Sequence, residues 1–506
     1  MMYQLFCFLA GIIVVYKAAQ YYKRRTLVTK FHCKPARISP NKSWLEYLGI
    51  ASVVHADEMI RKGGLYSEID GRFKSLDVST FKSITLGKTT YVTKDIENIR
   101  HILSATEMNS WNLGARPIAL RPLIGDGIFA SEGQSWKHSR IMLRPVFAKE
   151  HVKQITSMEP YVQLLIKIIK NHEGEPLEFQ TLAHLFTIDY STDFLLGESC
   201  DSLKDFLGEE SNSTLDTSLR LAFASQFNKT QQQMTIRFML GKLAFLMYPK
   251  SFQNSIQMQK DFVDEYIDRV VGMSEEELNN HPKSYVLLYQ LARQTKNRDI
   301  LQDELMSILL AGRDTTASLL TFLFFELSHH PEVFNKLKEE IERHFPDVES
   351  VTFGTIQRCD YLQWCINETM RLHPSVPFNF RTAANDTVIP RGGGKSCTDP
   401  ILVHKGEQVL FSFYSVNREE KYFGTNTDKF APERWSESLR RTEFIPFSAG
   451  PRACLGQQLA RVEASYVTIR LLQTFHGLHN ASKQYPPNRV VAATMRLTDG
   501  CNVCFI

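Results

Sequence analysis

Hydrophobic positions recur with helical spacing over most of the chain beyond about residue 140. Side chains three or four positions apart lie on one face of a helix, so this spacing is typical of helices that bury one side. Five long stretches have it: residues 149–171, 176–197, 216–246, 255–273 and 299–329. The pattern predicts a mainly helical protein.

Shorter runs of β-branched and aromatic residues occur within residues 26–100 and return between about 380 and 412. Such residues fit the pleated surface of a sheet. Residues 83–86 and 89–92 are separated by Gly87 and Lys88, and two residues are enough to close a hairpin. The predicted fold class is therefore mainly α, with small β-sheets.

Length and composition indicate how many domains to expect. The chain has 506 residues, of which 43% are hydrophobic and 23% charged, as is usual for a large globular protein with a well-developed core. The sequence contains no Gly/Ser/Pro-rich linker or repeat after its first few dozen residues, which favours one large domain over residues 26–506. The formal charge of +4 is small and dispersed, so we expect no nucleic-acid partner.

The first 22 residues are apolar except for Gln4, Lys17 and Gln20, and the basic residues 23–25 follow them. Basic residues next to an apolar segment stay on the cytosolic side of a membrane. We therefore predict a transmembrane signal anchor over residues 1–25, with a lumenal N-terminus and a cytosolic body. A cleaved signal peptide is the alternative, but it would place its basic residues before the apolar run.

The nine cysteines lack the spacing of a disulfide framework, and so long a chain does not need disulfides for stability. Cytosolic thiols are the expected state. Cys501 and Cys504 have the spacing of a redox or zinc pair, but no second pair accompanies them, and chance explains them better.

One cysteine, Cys454, lies in a glycine-containing loop that leads into a predicted helix over residues 457–475. Gly450 and Gly456 stand where a tight loop needs backbone freedom and close approach to a flat partner, and Pro451 stiffens the turn. Backbone N–H groups and the helix dipole are expected to keep the thiolate ionised. Cys454 is thus a candidate metal ligand, with a buried structural cysteine as the alternative.

The spacing Phe-x-x-Gly-x-Arg-x-Cys-x-Gly resembles the signature of the cytochrome P-450 family, the haem-thiolate monooxygenases, and every specified position is filled here. The resemblance implies a cytochrome P-450 fold and a haem b cofactor. It further implies that Cys454 is the axial iron ligand, that Phe447 packs against it, that Gly456 belongs to the cofactor loop, and that Arg452 reaches a haem propionate.

Two further segments supply candidate donors to the haem carboxylates. Trp136 and Arg140 are four positions apart, hence on one helix face, and the pair resembles the family's propionate-binding motif. By itself the pair fits an ordinary amphipathic helix with a core tryptophan and a solvated arginine. Arg381, at the start of a predicted strand, is by resemblance another propionate donor.

The predicted helix over residues 299–329, with Asp299 as its N-cap, has a polar interruption at residues 311–316. Glycine weakens a helix, and the Thr315 hydroxyl can bond back to the carbonyl of Ala311. An exposed helix defect is the simple explanation. The run also resembles the family's oxygen-activation motif, which implies that Asp314 and Thr315 are catalytic and deliver protons to bound dioxygen.

Glu368 and Arg371, three positions apart in an apolar predicted helix with Asp360 as its N-cap, resemble the family's Glu-x-x-Arg motif, with Arg434 as the third member. The resemblance implies a buried structural network rather than a catalytic one. On a surface helix the same pair would contribute little. Trp435 stands where the family often has phenylalanine, a minor departure.

Together these motifs resemble a membrane-anchored class II cytochrome P-450, and residues 311–317, 373–377, 390–394 and 456–458 resemble the fungal alkane and fatty-acid hydroxylase branch. The resemblance implies terminal or near-terminal hydroxylation of an n-alkane or fatty acid. Residues 111–129, 376–378 and 493–495, with Ile308 and Ala311, are the candidate pocket. The sequence has no flavin or nicotinamide motif, so electrons come from an NADPH-dependent FAD/FMN reductase, with cytochrome b5 as a further donor.

The expected location is the endoplasmic reticulum membrane, with a single pass and a cytosolic catalytic domain. Three other functions stay open. One is oxidation of a fungal secondary metabolite, a polyketide or a lipopeptide. The second is an O2-independent haem-thiolate isomerase or dehydratase, against which the intact Asp314 and Thr315 argue. The third is a non-catalytic, membrane-tethered lipid binder.

Overall fold

The computed structural model describes residues 18–19, 21–40, 64–85, 87–147, 155–214, 217–282, 286–436, 442–482, 484–491 and 494–506. Most of the predicted anchor lies outside these residues; of it, residues 18–19 and 21–25 are described, and they are helical. The anchor therefore stays a prediction.

Helices make up most of the described chain, as predicted. Those of the first half are α1 (Leu65–Leu76), α2 (Ile96–Leu103), α3 (Arg116–Ile124), α4 (Gly133–Leu143), α5 (Glu159–Lys170), α6 (Phe179–Leu196), α7 (Ser202–Leu207), α8 (Thr217–Leu240) and α9 (Lys250–Val271). Those of the second half are α10 (Glu275–Asn280), α11 (Leu287–Ala292), α12 (Arg298–His329), α13 (Pro331–His344), α14 (Phe353–Ile356), α15 (Asp360–Leu372), α16 (Phe413–Val416), α17 (Glu420–Phe423) and α18 (Gln457–Thr474).

The strands form small sheets. They are β1 (Arg37–Ile38), β2 (Thr80–Thr85), β3 (Lys88–Thr93), β4 (Trp111–Asn112), β5 (Leu177–Glu178), β6 (Phe378–Ala383), β7 (Thr387–Gly393), β8 (Asp399–Val403), β9 (Gln408–Ser412), β10 (Leu478–Asn480), β11 (Arg489–Val491), β12 (Met495–Leu497) and β13 (Asn502–Phe505). The largest sheet has the order β1-β2-β3-β9-β6-β4; the others are β10-β13-β5, β11-β12 and β7-β8.

The predicted hairpin is confirmed as β2 and β3, which pair antiparallel with Thr85 opposite Lys88. Lys88 therefore already belongs to β3, whereas the prediction placed it in the turn. Gly87 has a φ of 69°, in the left-handed region that a side chain disfavours. Turn chemistry thus fixes the register of this hairpin.

Helix α12 runs through the middle of the fold and packs against α6, α9, α15 and α18. By length and composition it could cross a membrane, but 78% of its most apolar stretch is buried inside the protein. Its apolar residues belong to both of the large core clusters. It is therefore the central core helix, and it carries the polar run at residues 311–316 into the interior.

Two predicted helix starts are wrong by a residue or two. The N-cap of α12 is Asn297, whose side chain accepts from the backbone N–H of Ile300 at 3.2 Å, whereas Asp299 lies within the first turn. At α15 the N-cap is Cys359, and Asp360 is the first helical residue. Both aspartates still place negative charge in the first turn, where the helix dipole favours it.

Candidate active site

The loop that carries Cys454 is held by a short 3-10 turn, Gly450–Arg452, immediately before α18. The Cys454 N–H donates to the carbonyl of Phe447 at 3.0 Å, which closes the loop. Gly450 has a φ of 71°, and a Cβ there would overlap the carbonyl oxygen of Leu103. Glycine is therefore required at this position, as predicted.

The expectation for Gly456 holds only in part. Its φ of −85° is ordinary, and a Cβ would lie 3.7 Å from the nearest atom, on the Phe147 ring, so its backbone does not require glycine. Its N–H nevertheless points to the Cys454 sulfur, as the loop was expected to arrange. Phe447 packs against the main core cluster and lies 5.4 Å below the Arg461 guanidinium.

The Cys454 side chain is exposed, yet the surrounding protein is dense enough that burial raises the pKa of its thiol. A sulfur that faces a cleft is open to solvent on one side and surrounded by protein atoms on the others, which accounts for both observations. The Gly456 N–H and the charge of Arg140 lower this pKa, but they do not outweigh burial. The loop donor and the nearby cation thus act in the predicted direction, and the ionised thiolate stays a prediction that a bound metal ion would favour further.

Three predicted donors cluster beside this loop. The Arg452 guanidinium lies 4.5 Å from the Trp136 ring, and Arg140 lies 5.8 Å from the same ring. Arg140 donates to the carbonyl of Ala453 at 3.0 Å, and Arg452 to that of Ser131 at 3.0 Å. The structure therefore brings Trp136 and Arg140 of α4 to the cysteine loop.

Arg381 of β6 is buried nearby, and a residue that the sequence analysis missed joins it. Arg116, at the start of α3, donates to the side-chain oxygen of Asn379 at 2.6 Å, as does Arg381 at 3.3 Å. No short motif marks Arg116, so only its position at the start of a helix after the Trp111 segment distinguishes it. Arg116 is a further candidate for the same site.

These cations repel one another. Burial, together with the charges of Arg381 and Arg452, lowers the pKa of Arg116 to about 9. Burial likewise lowers the pKa of Arg381 and of Arg452 to about 10. Glu132 is the carboxylate that opposes this shift in all three. The cluster thus holds more positive charge than its own carboxylate balances, which fits a group with two carboxylates, as haem has.

On the side of α12, Thr315 has the predicted contact. Its hydroxyl donates to the carbonyl of Ala311 at 2.8 Å, and the Ser375 hydroxyl donates to the Thr315 carbonyl at 3.0 Å. A threonine hydroxyl that bonds to the preceding turn, together with a hydroxyl donor from another element, is an arrangement that can bend a helix locally.

Asp314 is fully buried in a polar network. Arg313 donates to its Oδ1 at 3.0 Å, the amide of Gln231 donates to its Oδ2, and Arg496 lies 3.5 Å from that oxygen. His184 lies 3.8 Å from Oδ1, and its pKa is lowered to about 4, mainly by burial, so the ring is neutral at pH 7. Within the described part of the chain, Asp314 and Thr315 share no direct hydrogen bond.

A second residue that the sequence analysis missed, Glu463 of α18, packs against α12 and is hydrogen bonded to the Thr316 hydroxyl. It is buried, and burial raises its pKa to about 8. The sequence signal for a buried carboxylate here is its position between the apolar residues Val462 and Ala464. Its hydrogen-bond partner, Thr316, is the neighbour of Thr315 in α12, so a protonatable group contacts the turn that carries Thr315.

The Glu368 network is as predicted. Arg371 donates to both Glu368 oxygens at 2.9 Å, and Arg434 donates to Oε1 at 2.7 Å. Trp435 also donates its indole N–H to Oε2 at 2.9 Å, which phenylalanine could not do. Burial acts to raise the pKa of Glu368, but the hydrogen bonds and charges of the two arginines outweigh it, and the net shift is downward.

Another group with metal-ligand chemistry, Glu340, His344 and Cys359, is explained by helix capping. The ligand atoms lie within 4.8 Å of one another. However, the Glu340 carboxylate accepts from the Cys359 thiol at 2.9 Å and from the N–H groups of Tyr361 and Leu362 at 3.0 Å. Its oxygens satisfy the start of α15, and the group lacks the loop geometry of Cys454.

Comparison with known proteins agrees with this arrangement. A family model described as Cytochrome P450 matches residues 58–504. The chain is 99% identical over 505 residues to Cytochrome P450 52C1 of Candida tropicalis, with 100% of both chains covered. The chain belongs to the cytochrome P450 family. It is also 55% identical to Cytochrome P450 52C2 of Candida maltosa, with 97% of this chain and 98% of that one covered.

The cytochrome P450 fold is likewise confirmed. A crystal structure of the cytochrome P450DA heme domain superposes with a TM-score of 0.72 at 21% identity, covering 94% of this chain and 97% of that one. The protein is therefore a cytochrome P450 monooxygenase, an oxidoreductase that uses haem with a cysteine thiolate ligand. As a member of this family it takes electrons from a redox partner and acts on a lipophilic substrate.

Proposed function

We propose that Cys454 is the axial ligand of the haem iron and that Arg116, Trp136, Arg140, Arg381 and Arg452 bind the haem carboxylates. The observation that carries this proposal is the group of buried and half-buried arginines beside the cysteine loop, for which Glu132 is the opposing carboxylate among the described residues. Two propionates placed there would restore charge balance.

When bound, haem binds and activates dioxygen with electrons from the partner. The chain's own residues must hold the substrate, limit water and move protons. We assign proton handling to Thr315, whose hydroxyl donates to the carbonyl of Ala311 within α12. Asp314, whose carboxylate is held by Arg313 and Arg496, orders the water that carries protons to Thr315.

The proposed reaction is hydroxylation at or near the end of an alkyl chain, with an n-alkane or a fatty acid as substrate. The relatives named Cytochrome P450 52C1 and 52C2 support a fungal branch of the family. Apolar candidates for the pocket wall come from different elements: Ile308 and Ala311 on α12, and Val376 before β6, with 41% of its surface exposed. Trp111 instead lines a cleft of about 430 Å³ with Arg381 and Arg452, so it lies beside the propionate donors.

The proposed electron donor is an NADPH-dependent FAD/FMN cytochrome P450 reductase, with cytochrome b5 as a second donor. On α4, which carries the propionate donors Trp136 and Arg140, Lys137 is exposed and Ile141 has 72% of its surface exposed. A surface that presents an apolar side chain among basic ones is complementary to an acidic surface on a redox protein. We place the protein in the endoplasmic reticulum membrane through a single N-terminal pass, with the catalytic domain in the cytosol.

The test is product analysis in microsomes that contain this protein and the reductase, supplied with n-alkanes and fatty acids. We expect NADPH- and O2-dependent terminal or near-terminal alcohols. Product formed without O2 would contradict the monooxygenase reaction on that substrate and favour an isomerase or dehydratase. Oxidation of neither substrate class would contradict the proposed substrate and favour a polyketide or lipopeptide tail.

A further inference from the structure

The segment of residues 125–131 joins α3 to α4 and is anchored at both ends. At its start, the N–H of Asp126 donates to Asp303 Oδ2 at 2.8 Å, and the N–H of Ile128 donates to Glu304 Oε2 at 3.2 Å. At its end, the Ser131 carbonyl accepts from Arg452 at 3.0 Å. The segment therefore connects the first half of α12 directly to the cysteine loop.

The approach of this segment to α12 depends on glycine. A Cβ on Gly125, whose φ is +49°, would overlap the carboxylate of Asp303. A Cβ on Gly127 would overlap the Ser307 hydroxyl and the backbone carbonyl of Asp303. Gly127 is needed because backbone atoms of a core helix cannot give way cheaply, and Gly125 is needed because its positive φ disfavours a side chain.

The two carboxylates serve the segment rather than other partners. Among the described residues neither Asp303 nor Glu304 forms an ion pair, and Glu304 is 2% exposed. Glu304 also accepts a hydrogen bond from Ser139 of α4, so one carboxylate ties the segment, α12 and α4 together. Burial raises the pKa of Glu304 to about 7, although the hydrogen bonds from the Ser139 hydroxyl and the Ile128 N–H oppose that rise.

The span between the anchors carries candidate pocket residues. Ile128 is buried in the same apolar cluster as Leu305 and Leu309 of α12. Phe129 leaves 36% of its surface uncovered, where an apolar chain can pack. If the segment shifted where it contacts α12, these side chains would move. The Ser131 carbonyl, which accepts from Arg452, would move with them.

We infer that Asp303 and Glu304 are positioning residues: by holding residues 125–131 against α12 they fix the pocket wall and so help to select which carbon of the substrate is oxidised. This inference deepens the proposed alkyl-chain hydroxylation and rests on it. Neither carboxylate touches the reacting atoms. Their effect passes through the segment.

The experiment compares Asp303→Ala, Asp303→Asn and Gly127→Ala in the haem-bound full-length protein. Asparagine keeps an oxygen that accepts from Asp126, whereas alanine removes it, and Gly127→Ala pushes the segment away without touching either carboxylate. Gly71→Ala is the matched control, because a Cβ at Gly71 in α1 meets nothing within 4 Å. The reduced, CO-bound spectrum selects correctly folded protein in every case.

The first readout is backbone hydrogen exchange of a peptide that covers residues 126–128. We expect exchange about tenfold faster in Asp303→Ala and Gly127→Ala, the size of one lost hydrogen bond, and near the wild-type rate in Asp303→Asn and Gly71→Ala. The second readout is the ratio of terminal to subterminal alcohols, together with KM and kcat. We expect that ratio to fall about threefold and KM to rise in the same two variants, with kcat changed less.

Wild-type exchange in both Asp303→Ala and Gly127→Ala would overturn the inference, as would faster exchange with an unchanged product ratio. Lower folded yield with an unchanged ratio in the folded fraction would also overturn it, since that is the outcome of a purely structural role. If the wild-type protein oxidises no alkyl chain, the proposed function fails. The exchange comparison then still decides whether these residues anchor the segment.

Discussion

Glu368 and Glu463 are both buried in the core of this cytochrome P450, yet their surroundings are opposite. Glu368 receives two arginines, an indole N–H and the N–H of Ala431, and the net shift of its pKa is downward. Glu463 has no ion pair within the described chain and one hydroxyl partner, Thr316. Its pKa is raised to about 8 by burial.

The difference separates a structural carboxylate from one that can exchange a proton. A carboxylate surrounded by guanidinium groups stays ionised over the physiological range and fixes the elements around it. A carboxylate left without a cation is neutral near pH 7 and changes its charge within reach of that pH. Glu368 is of the first kind, and Glu463, whose partner Thr316 is the neighbour of Thr315 in α12, is of the second.

The largest effect is expected at Glu368. Replacing it with alanine leaves two buried arginines without their carboxylate, which costs about 3–5 kcal/mol. We expect Glu368→Ala to give little haem-bound protein and a much lower midpoint of thermal unfolding. The control is Glu433→Ala, whose exposed pair with Lys336 is worth about 1 kcal/mol or less. Equal losses in the two variants would remove the distinction between a buried network and a surface pair.

Glu463→Gln should change how stability depends on pH. Because the folded pKa of about 8 lies above the ordinary 4.5, the folded state keeps a proton that the unfolded state releases. The contribution of Glu463 to wild-type stability is therefore fully present below about pH 4.5 and is lost as pH rises through about 8, by about 1.4 kcal/mol per unit at most.

Glutamine cannot titrate, so the advantage of Glu463→Gln over wild type should grow between pH 5 and pH 8.5, to about 1–3 kcal/mol. Unfolding midpoints of the haem-bound proteins across that range provide the measurement. A constant difference between the two proteins at every pH would show that Glu463 is not a buried, protonated group.

Trp435→Phe gives the smallest effect. It removes the indole donor to Glu368 Oε2 while Arg371 remains on the same oxygen, so the expected cost is about 1 kcal/mol. The cost should disappear when Glu368 is already alanine, which a double-mutant cycle measures. Additive losses in that cycle would mean that the indole acts by packing alone.

Local sequence patterns predicted much of this molecule. The helical periodicity located the long helices, the turn residues located the β2–β3 hairpin, and the spacing within one loop or helix located Cys454, Thr315 and Glu368. In each case the residues that carry the signal lie within a few positions of one another, so helix and turn geometry alone brings them together.

What the sequence missed depends on packing between distant elements. Asp126 meets Asp303 from 177 positions away, and Gln231 meets Asp314 from 83 positions away. Arg116 and Glu463 carry no local motif, and their roles follow from which elements pack against them. The burial that raises the pKa of the Cys454 thiol is likewise a tertiary property, which the loop sequence does not show.

The central claim is that Cys454 binds the haem iron, and the reduced, CO-bound absorption spectrum tests it most directly. We expect the wild-type protein and a Cys359→Ala variant to show the Soret band at the position characteristic of a thiolate ligand. Cys454→Ala and Cys454→His should lack that band. A thiolate Soret band that persists in Cys454→Ala, or that is lost in Cys359→Ala while the protein still binds haem, would contradict the assignment.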